Sequence, residues 1–289
     1  MIYKKYGEIF KKLRVQHKLS LRDFERIGLS KSTISSFENG KTLISFDKLD
    51  LALQEMHTTF RSYMLMLNND EEDYWLNQFK KIEQAYFNKN FSLLEQVYLD
   101  NIEYDLEENK VIALSAKACY SHLSPVEVSY IETRLKSYHI WHSYELYILV
   151  NTLEEIDPRL LQDLVGQMLS QNEHYLKEIT EFRNLLIRVV LRATLVMIRH
   201  GYRDDSERFL KAFEGLTIVF DTYVRISSLF VKGCWIYAFE NQITGKKLTA
   251  RALKILSEIG ALELREVFQK DFEKISNKSS AGMIRDFST

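Results

Sequence analysis

The sequence predicts an all-α protein, a small head of five short helices followed by a long array of longer ones. Three observations predict it. Only 10 Gly and 2 Pro occur among 289 residues, too few for the many tight turns of a sandwich or barrel. Apolar residues recur at helical spacing on both sides of one polar break. Both prolines stand where a helix can start: Ser124-Pro125-Val126-Glu127 reads as an N-cap, a proline at the first helical position and a glutamate able to bond back to the cap's N–H, and Asp157-Pro158 repeats the device.

In chain order, four or five short helices fit between turn signals at His17-Lys18, Gly28, Asn39-Gly40 and His57. Residues 68–73 are polar, acidic and free of apolar side chains, so a linker is expected there, between a head at 1–67 and an array at 74–289. The array reads as helices over 74–87, 91–104, 108–121, 125–137, 141–155, 158–170, 172–199, 204–214, 221–240, 245–259 and 262–276. Antiparallel helices of this length on short loops suit a tetratricopeptide-like right-handed helical repeat, at roughly 34 to 40 residues per pair. No clean repeat signature is present, which leaves a non-repeating bundle as the alternative.

Composition narrows the function classes. No run of about 18 apolar residues occurs and MIYKKYGEIF lacks the apolar stretch of a signal peptide, so a soluble, cytoplasmic chain is expected. Cys119 and Cys234 fit no CxxC or Cys/His spacing and read as buried thiols in a reducing compartment. Phosphate-loop, dinucleotide and zinc-protease motifs are lacking, and His139 and His142 have no ligand partner at metal spacing; a non-enzyme without cofactor or metal is expected. The net charge of -1 conceals an asymmetry: residues 1–67 carry 12 basic against 7 acidic side chains, and the remainder 27 against 33. A basic head on an acidic body points to a polyanion as partner of the head alone.

The segment Leu19 to Lys41 is the most informative. It reads as two helices about Gly28, the first capped by Ser20 with Asp23 three residues on, the second capped by Ser30. Leu21, Phe24 and Ile27 face inward from the first, Ile34 and Phe37 from the second. Lys31, Ser32, Thr33, Ser35 and Ser36 are left pointing outward at the start of a helix, where backbone donors and the dipole favour an anion. The pattern Ile34-Ser35-Ser36-Phe37-Glu38-Asn39-Gly40-Lys41 after a capped turn resembles the Cro/C1-type (XRE) helix-turn-helix family over about residues 6 to 60. The resemblance implies DNA binding, with Lys31, Ser32, Thr33 and Ser36 facing base edges in the major groove and Asn39 and Lys41 near phosphates. It also implies that Arg14 and Glu38 form an ion pair tying the first helix to the recognition helix. The chain departs from the family where a polar residue often opens the first helix of the pair; Leu21 stands there, and the phosphate contact moves to Arg22 or is lost. A helical hairpin used only for protein contacts is the plainer alternative.

Behind the head, aromatic and basic residues are set in apolar helices. Arg188 and Arg192 share a helical face, with Arg183 and Asn184 a turn away. Lining a helical hollow, such residues suit an extended peptide and its terminal carboxylate; the alternative is that they pair with acidic residues on adjacent helices. With its Trp141-x-x-Tyr144-Glu145-Leu146 run ending in Asn151, the whole chain is similar to the Rgg/GadR/MutR regulators. That resemblance implies an XRE head, a tetratricopeptide-like tail, a homodimer, in several members a response to short hydrophobic peptides, and a place for Asn151 facing the peptide cavity.

A single recognition helix covers few base pairs, so double-stranded DNA carrying an inverted-repeat operator read by a homodimer is expected, with RNA polymerase as a further contact. The competing reading keeps the DNA-binding head but makes the helical tail a dimerisation or protein-interaction module with no small ligand.

Overall fold

The structure, a computed structural model, describes residues 2–68, 73–171, 180–215 and 221–286. Among these the chain forms fifteen α-helices, one 3-10 turn and no strand. It divides into two compact units, Met1–Tyr74 and Trp75–Thr289. Of the linker expected at 68–73, residues 69–72 lie outside the described residues, as do 172–179 of the helix expected at 172–199.

The head contains α1 (Ile2–Gln16), a 3-10 turn at Glu25–Ile27, α2 (Lys31–Glu38), α3 (Phe46–Glu55) and α4 (Phe60–Leu67). Its core is aromatic: the Phe10 ring lies 5.6 Å from that of Phe24 and 5.3 Å from that of Phe37, with Ile34, Leu53 and Tyr63 fully buried around them. Tyr63 also donates its hydroxyl to the Tyr6 carbonyl at 2.9 Å, tying α4 to α1. The first member of the expected helix pair is not an α-helix. Ser20 N–H donates to the Asp23 carboxylate at 2.5 Å, and the Glu25 and Ile27 amides reach back three residues, to the carbonyls of Arg22 and Phe24. Gly28, at φ 77°, then ends the segment before a four-residue ladder can establish itself. Phe24 is nonetheless fully buried, with Leu21 and Ile27 packed partly against the core.

The array comprises α5 (Tyr74–Phe87), α6 (Phe91–Ile102), α7 (Glu107–Ala118), α8 (Pro125–Ser137), α9 (Ser143–Thr152), α10 (Pro158–Gln171), α11 (Thr180–His200), α12 (Arg203–Gly215), α13 (Thr222–Phe239), α14 (Gln242–Glu258) and α15 (Leu262–Asp286). Both proline starts form: Ser124 accepts the Glu127 amide and Glu127 accepts the Ser124 amide, while Asp157 accepts the Arg159 and Leu160 amides. Hairpins of consecutive helices carry the packing, α6 on α7, α11 on α12 and α13 on α14. Successive hairpins meet through their odd-numbered members: α7 on α9, α9 on α11, α11 on α13 and α13 on α15. The odd helices from α7 to α15 therefore form one continuous row. In the α13–α14 hairpin a Cβ at Gly245 would lie 2.3 Å from the Tyr237 amide nitrogen and one at Gly233 2.7 Å from that of Thr249, so this pair approaches to backbone contact.

Candidate functional sites

In the head, α2 begins on the Ser30 cap, which accepts the Thr33 amide at 3.2 Å. Lys31, Ser32, Asn39, Lys41 and Arg22 are exposed, and Thr33 and Ser36 half-buried. The Ser32 and Thr33 hydroxyls lie 2.8 and 2.9 Å from the Ser30 hydroxyl, so in the free protein they gather at the cap. The Asn39 amide donates to the Ser35 carbonyl at 2.7 Å, closing the helix as well as facing outward. Gly40, at φ 68°, completes the end: its amide meets the Phe37 carbonyl and that of Lys41 meets the Ser36 carbonyl, a paired closure that favours glycine in the left-handed region.

What fixes α2 relative to α1 is a crossing with no room to spare. A Cβ on Gly7 would lie 1.9 Å from the Phe37 carbonyl oxygen, and one on Gly40 2.7 Å from the Lys4 Cα. At the other end of the same α1 face, Arg14 makes the expected pair with Glu38, Nε to Oε1 at 2.5 Å and Nη2 to Oε2 at 3.0 Å, and donates a third bond to the Leu19 carbonyl. The side chains of both partners are nearly buried, 12% and 5% exposed. A two-pronged charge-assisted contact of this kind fixes orientation as well as distance.

In the array, a closed seam lies on the row of odd helices. Its walls are Glu83, Tyr86 and Phe87 from α5, Asn151 from α9, Arg188, Leu191, Arg192 and Leu195 from α11, Tyr223 from α13, and Leu264, Val267, Phe268 and Asp271 from α15. The void is about 30 Å³, room for about one water molecule. Three of the five expected ligand residues, Asn151, Arg188 and Arg192, meet here. Arg183 and Asn184 do not line it: Arg183 is buried against Asp221 at 2.6 Å, and Asn184 is exposed. Arg188 pairs with Glu83 at 2.6 Å. Arg192 instead donates to the Val150 carbonyl at 2.6 Å. Direct pairing with an acidic side chain thus accounts for Arg183 and Arg188, while Arg192 hydrogen-bonds a backbone carbonyl and is attracted by Glu154 and Asp271.

The seam is electrostatically uneven. Burial pushes the Asp271 carboxyl up to about 6 despite the attraction of Arg192 and Lys274. Burial also opposes ionisation of Glu154, but Arg192, Arg199 and Lys274 together outweigh it and hold that carboxyl below its usual range; Arg199 lies 2.6 Å away. Burial raises the Cys119 thiol to about 11, leaving it a weak nucleophile, and its Sγ lies 3.4 Å from the Ser115 carbonyl oxygen and 3.8 Å from the Asn151 side-chain oxygen. The Trp141 to Leu146 run serves structure: Trp141 is 1% exposed, the His142 amide donates to Glu145 at 2.8 Å, and Tyr144 packs edge-on to Trp75 and Phe79. The seam's aromatic and α15 residues, Tyr86, Phe87, Tyr223, Phe268 and Asp271, escaped sequence reasoning because no local pattern marks them. A wider acid-rimmed hollow of about 460 Å³, at Glu103, Asp105 and Glu107, contains none of the expected residues. Among the described residues no helix is long and apolar enough to cross a membrane.

Comparisons with known proteins agree with this layout. Residues 76–270 match the family model described as the HTH-type transcriptional regulator Rgg, C-terminal domain, and residues 10–61 match a helix-turn-helix model. Among solved structures, the chain is similar to the SHP pheromone receptor Rgg2 of Streptococcus dysgalactiae, at 22% identity and TM-score 0.78 over 93% of this chain and 99% of that one. It is similar to a putative transcriptional regulator from Listeria monocytogenes EGD-e, at 15% identity and TM-score 0.76 over 96% and 99%. A complex of PrgX with cCF10 matches at 16% identity and TM-score 0.69 over 95% and 93%. At these identities the solved structures speak for the fold; the family match covers most of the chain, which therefore belongs to the HTH-type transcriptional regulators of the Rgg family.

Proposed function

We propose that the chain is a cytoplasmic, sequence-specific regulator whose head reads an inverted-repeat operator as a homodimer and whose helical array senses a short, hydrophobic peptide. The observation that carries the peptide reading is the seam itself, in which Asn151, Arg188 and Arg192 sit among apolar and aromatic side chains from five odd-numbered helices. A peptide backbone needs donors and acceptors, its side chains need apolar walls, and its terminal carboxylate suits a buried guanidinium. Arg192 offers one, bonded to the Val150 carbonyl and attracted by Glu154 and Asp271. The similarity to a pheromone receptor and to PrgX in complex with cCF10 supports the same direction. Peptide entry requires the lining helices to part, since a 30 Å³ void admits no peptide. Binding to one of two arrangements of these helices would then bias the placement of the heads, altering operator affinity or contact with RNA polymerase.

For the head, the proposed contacts are Lys31, Ser32, Thr33 and Ser36 to bases and Arg22, Asn39 and Lys41 to phosphates. The Lys31→Ala, Ser32→Ala double variant should keep its circular dichroism spectrum and lose discrimination between operator and unrelated DNA, at about 1 to 3 kcal/mol for each base contact removed. Unchanged discrimination would place the reading surface elsewhere.

The small void supports a second reading, in which the array is a dimerisation or protein-interaction module with no small ligand. Arg192→Ala separates the two. On the peptide reading, the peptide fraction of medium conditioned by the source cells changes operator affinity for wild type and not for this variant. A fraction without effect on either protein favours the second reading.

A further inference from the structure

The end of the recognition helix is built against α1, and this brings a further cation, Lys4, beside it. Lys4, Gly7 and Arg14 fall on one face of α1 by helical spacing. Gly7 meets the Phe37 carbonyl and Arg14 holds Glu38, so this face is the one that crosses α2. At its far end, Lys4 lies against Gly40 closely enough that a Cβ there would stand 2.7 Å from the Lys4 Cα. The residue after Gly40 is Lys41, exposed like Lys4. Among the described residues the ammonium of Lys4 pairs with Glu8 on its own helix, at 3.4 Å, and both side chains are more than half exposed, a pairing worth little in water that a phosphate readily replaces. Asn39, in contrast, spends an amide proton on the Ser35 carbonyl and brings no charge.

We infer that Lys4 is a phosphate-contacting residue, which with Lys41 forms a two-cation grip on the DNA backbone at the C-terminal edge of the recognition helix. The inference rests on the DNA-reading role of the head. Gly7 and Gly40 are what make it possible, because a side chain at either position would separate α1 from α2 and withdraw Lys4 from Lys41. Such a contact carries no sequence information; it strengthens binding to every sequence alike and steepens the salt dependence.

The test is the slope of log affinity against log salt concentration, measured with the full chain on DNA from its own upstream region and on an unrelated duplex. Lys4→Ala should lower the slope magnitude by about 1 on both duplexes, leaving their affinity ratio unchanged. Lys5→Ala, which removes an equal charge at an exposed position pointing away from the Gly7 face, controls for net charge. A wild-type slope in Lys4→Ala, or an equal drop in Lys5→Ala, overturns the inference while leaving the DNA-reading role intact. No salt-sensitive retention by the wild-type protein overturns both.

Discussion

Gly7→Ala should unfold the head and abolish DNA retention while the array stays folded. The added methyl would fall 1.9 Å from the Phe37 carbonyl oxygen and 2.8 Å from the Glu38 Cα, both backbone atoms, so no rotamer change relieves the contact. Replacing glycine by alanine inside a helix ordinarily stabilises by up to about 1 kcal/mol. Overpacking costs about 1 to 3 kcal/mol where side chains can yield, and more where backbone must. The second effect wins, with a net loss of about 3 kcal/mol or more in a unit whose buried core is a dozen apolar residues. Gly166→Ala in α10 is the control, since nothing stands within 4 Å of a Cβ there; it should be neutral or slightly stabilising. Urea denaturation followed separately by head and array fluorescence probes reads both. A Gly7→Ala head with wild-type stability would mean that α1 and α2 leave room for a methyl group at their crossing.

The second large effect lies at Asp271. Its carboxyl is raised from 3.8 to about 6, so the folded chain holds the neutral form more tightly than the unfolded chain does. For an acid raised on folding, the stabilising contribution is fully present below the unfolded value and is lost as pH rises through the folded one. The window is therefore about pH 4 to 6, and the difference of two units corresponds to about 3 kcal/mol as an upper figure. Asp271→Asn, which keeps the shape of the neutral acid, should stabilise the array by about 2 to 3 kcal/mol at pH 8 and change nothing at pH 4. A variant less stable than wild type at pH 8 would mean that the attraction of Arg192 and Lys274 exceeds the cost of burial.

Why the sequence reveals the helices but only part of the seam follows from the range of the forces involved. Helix starts are local events: Ser124 with Glu127 and Asp157 with the amides after Pro158 are read from four consecutive residues and form as read. The same holds for the positive-φ turns at Lys18, Gly28, Gly40 and His57. The Arg14–Glu38 pair, 24 residues apart, was legible only through a family pattern. The seam brings Tyr86 of α5 to Asp271 of α15, nearly two hundred positions along the chain, and no spacing rule reaches so far. Arg183 and Arg192 look alike in sequence, each an arginine among aliphatics on one helix. Their difference is tertiary: Asp221 sits at the start of α13 opposite Arg183, and a backbone carbonyl sits opposite Arg192. The Trp141 to Leu146 run shows the converse, a recognisable motif whose residues pack and cap α9, with only Asn151 at its end reaching the seam.

Whether the chain reads DNA in response to a peptide is decided by retention of its own upstream DNA against excess unrelated competitor. The measurement is made at two salt concentrations, with and without the peptide fraction of conditioned medium. Retention that resists competitor, weakens with salt and shifts with the peptide fraction is the predicted result. Retention that competitor abolishes under every condition would mean that the head reads no DNA sequence and would leave the chain's acidic array, not its basic head, as the place to look for its partner.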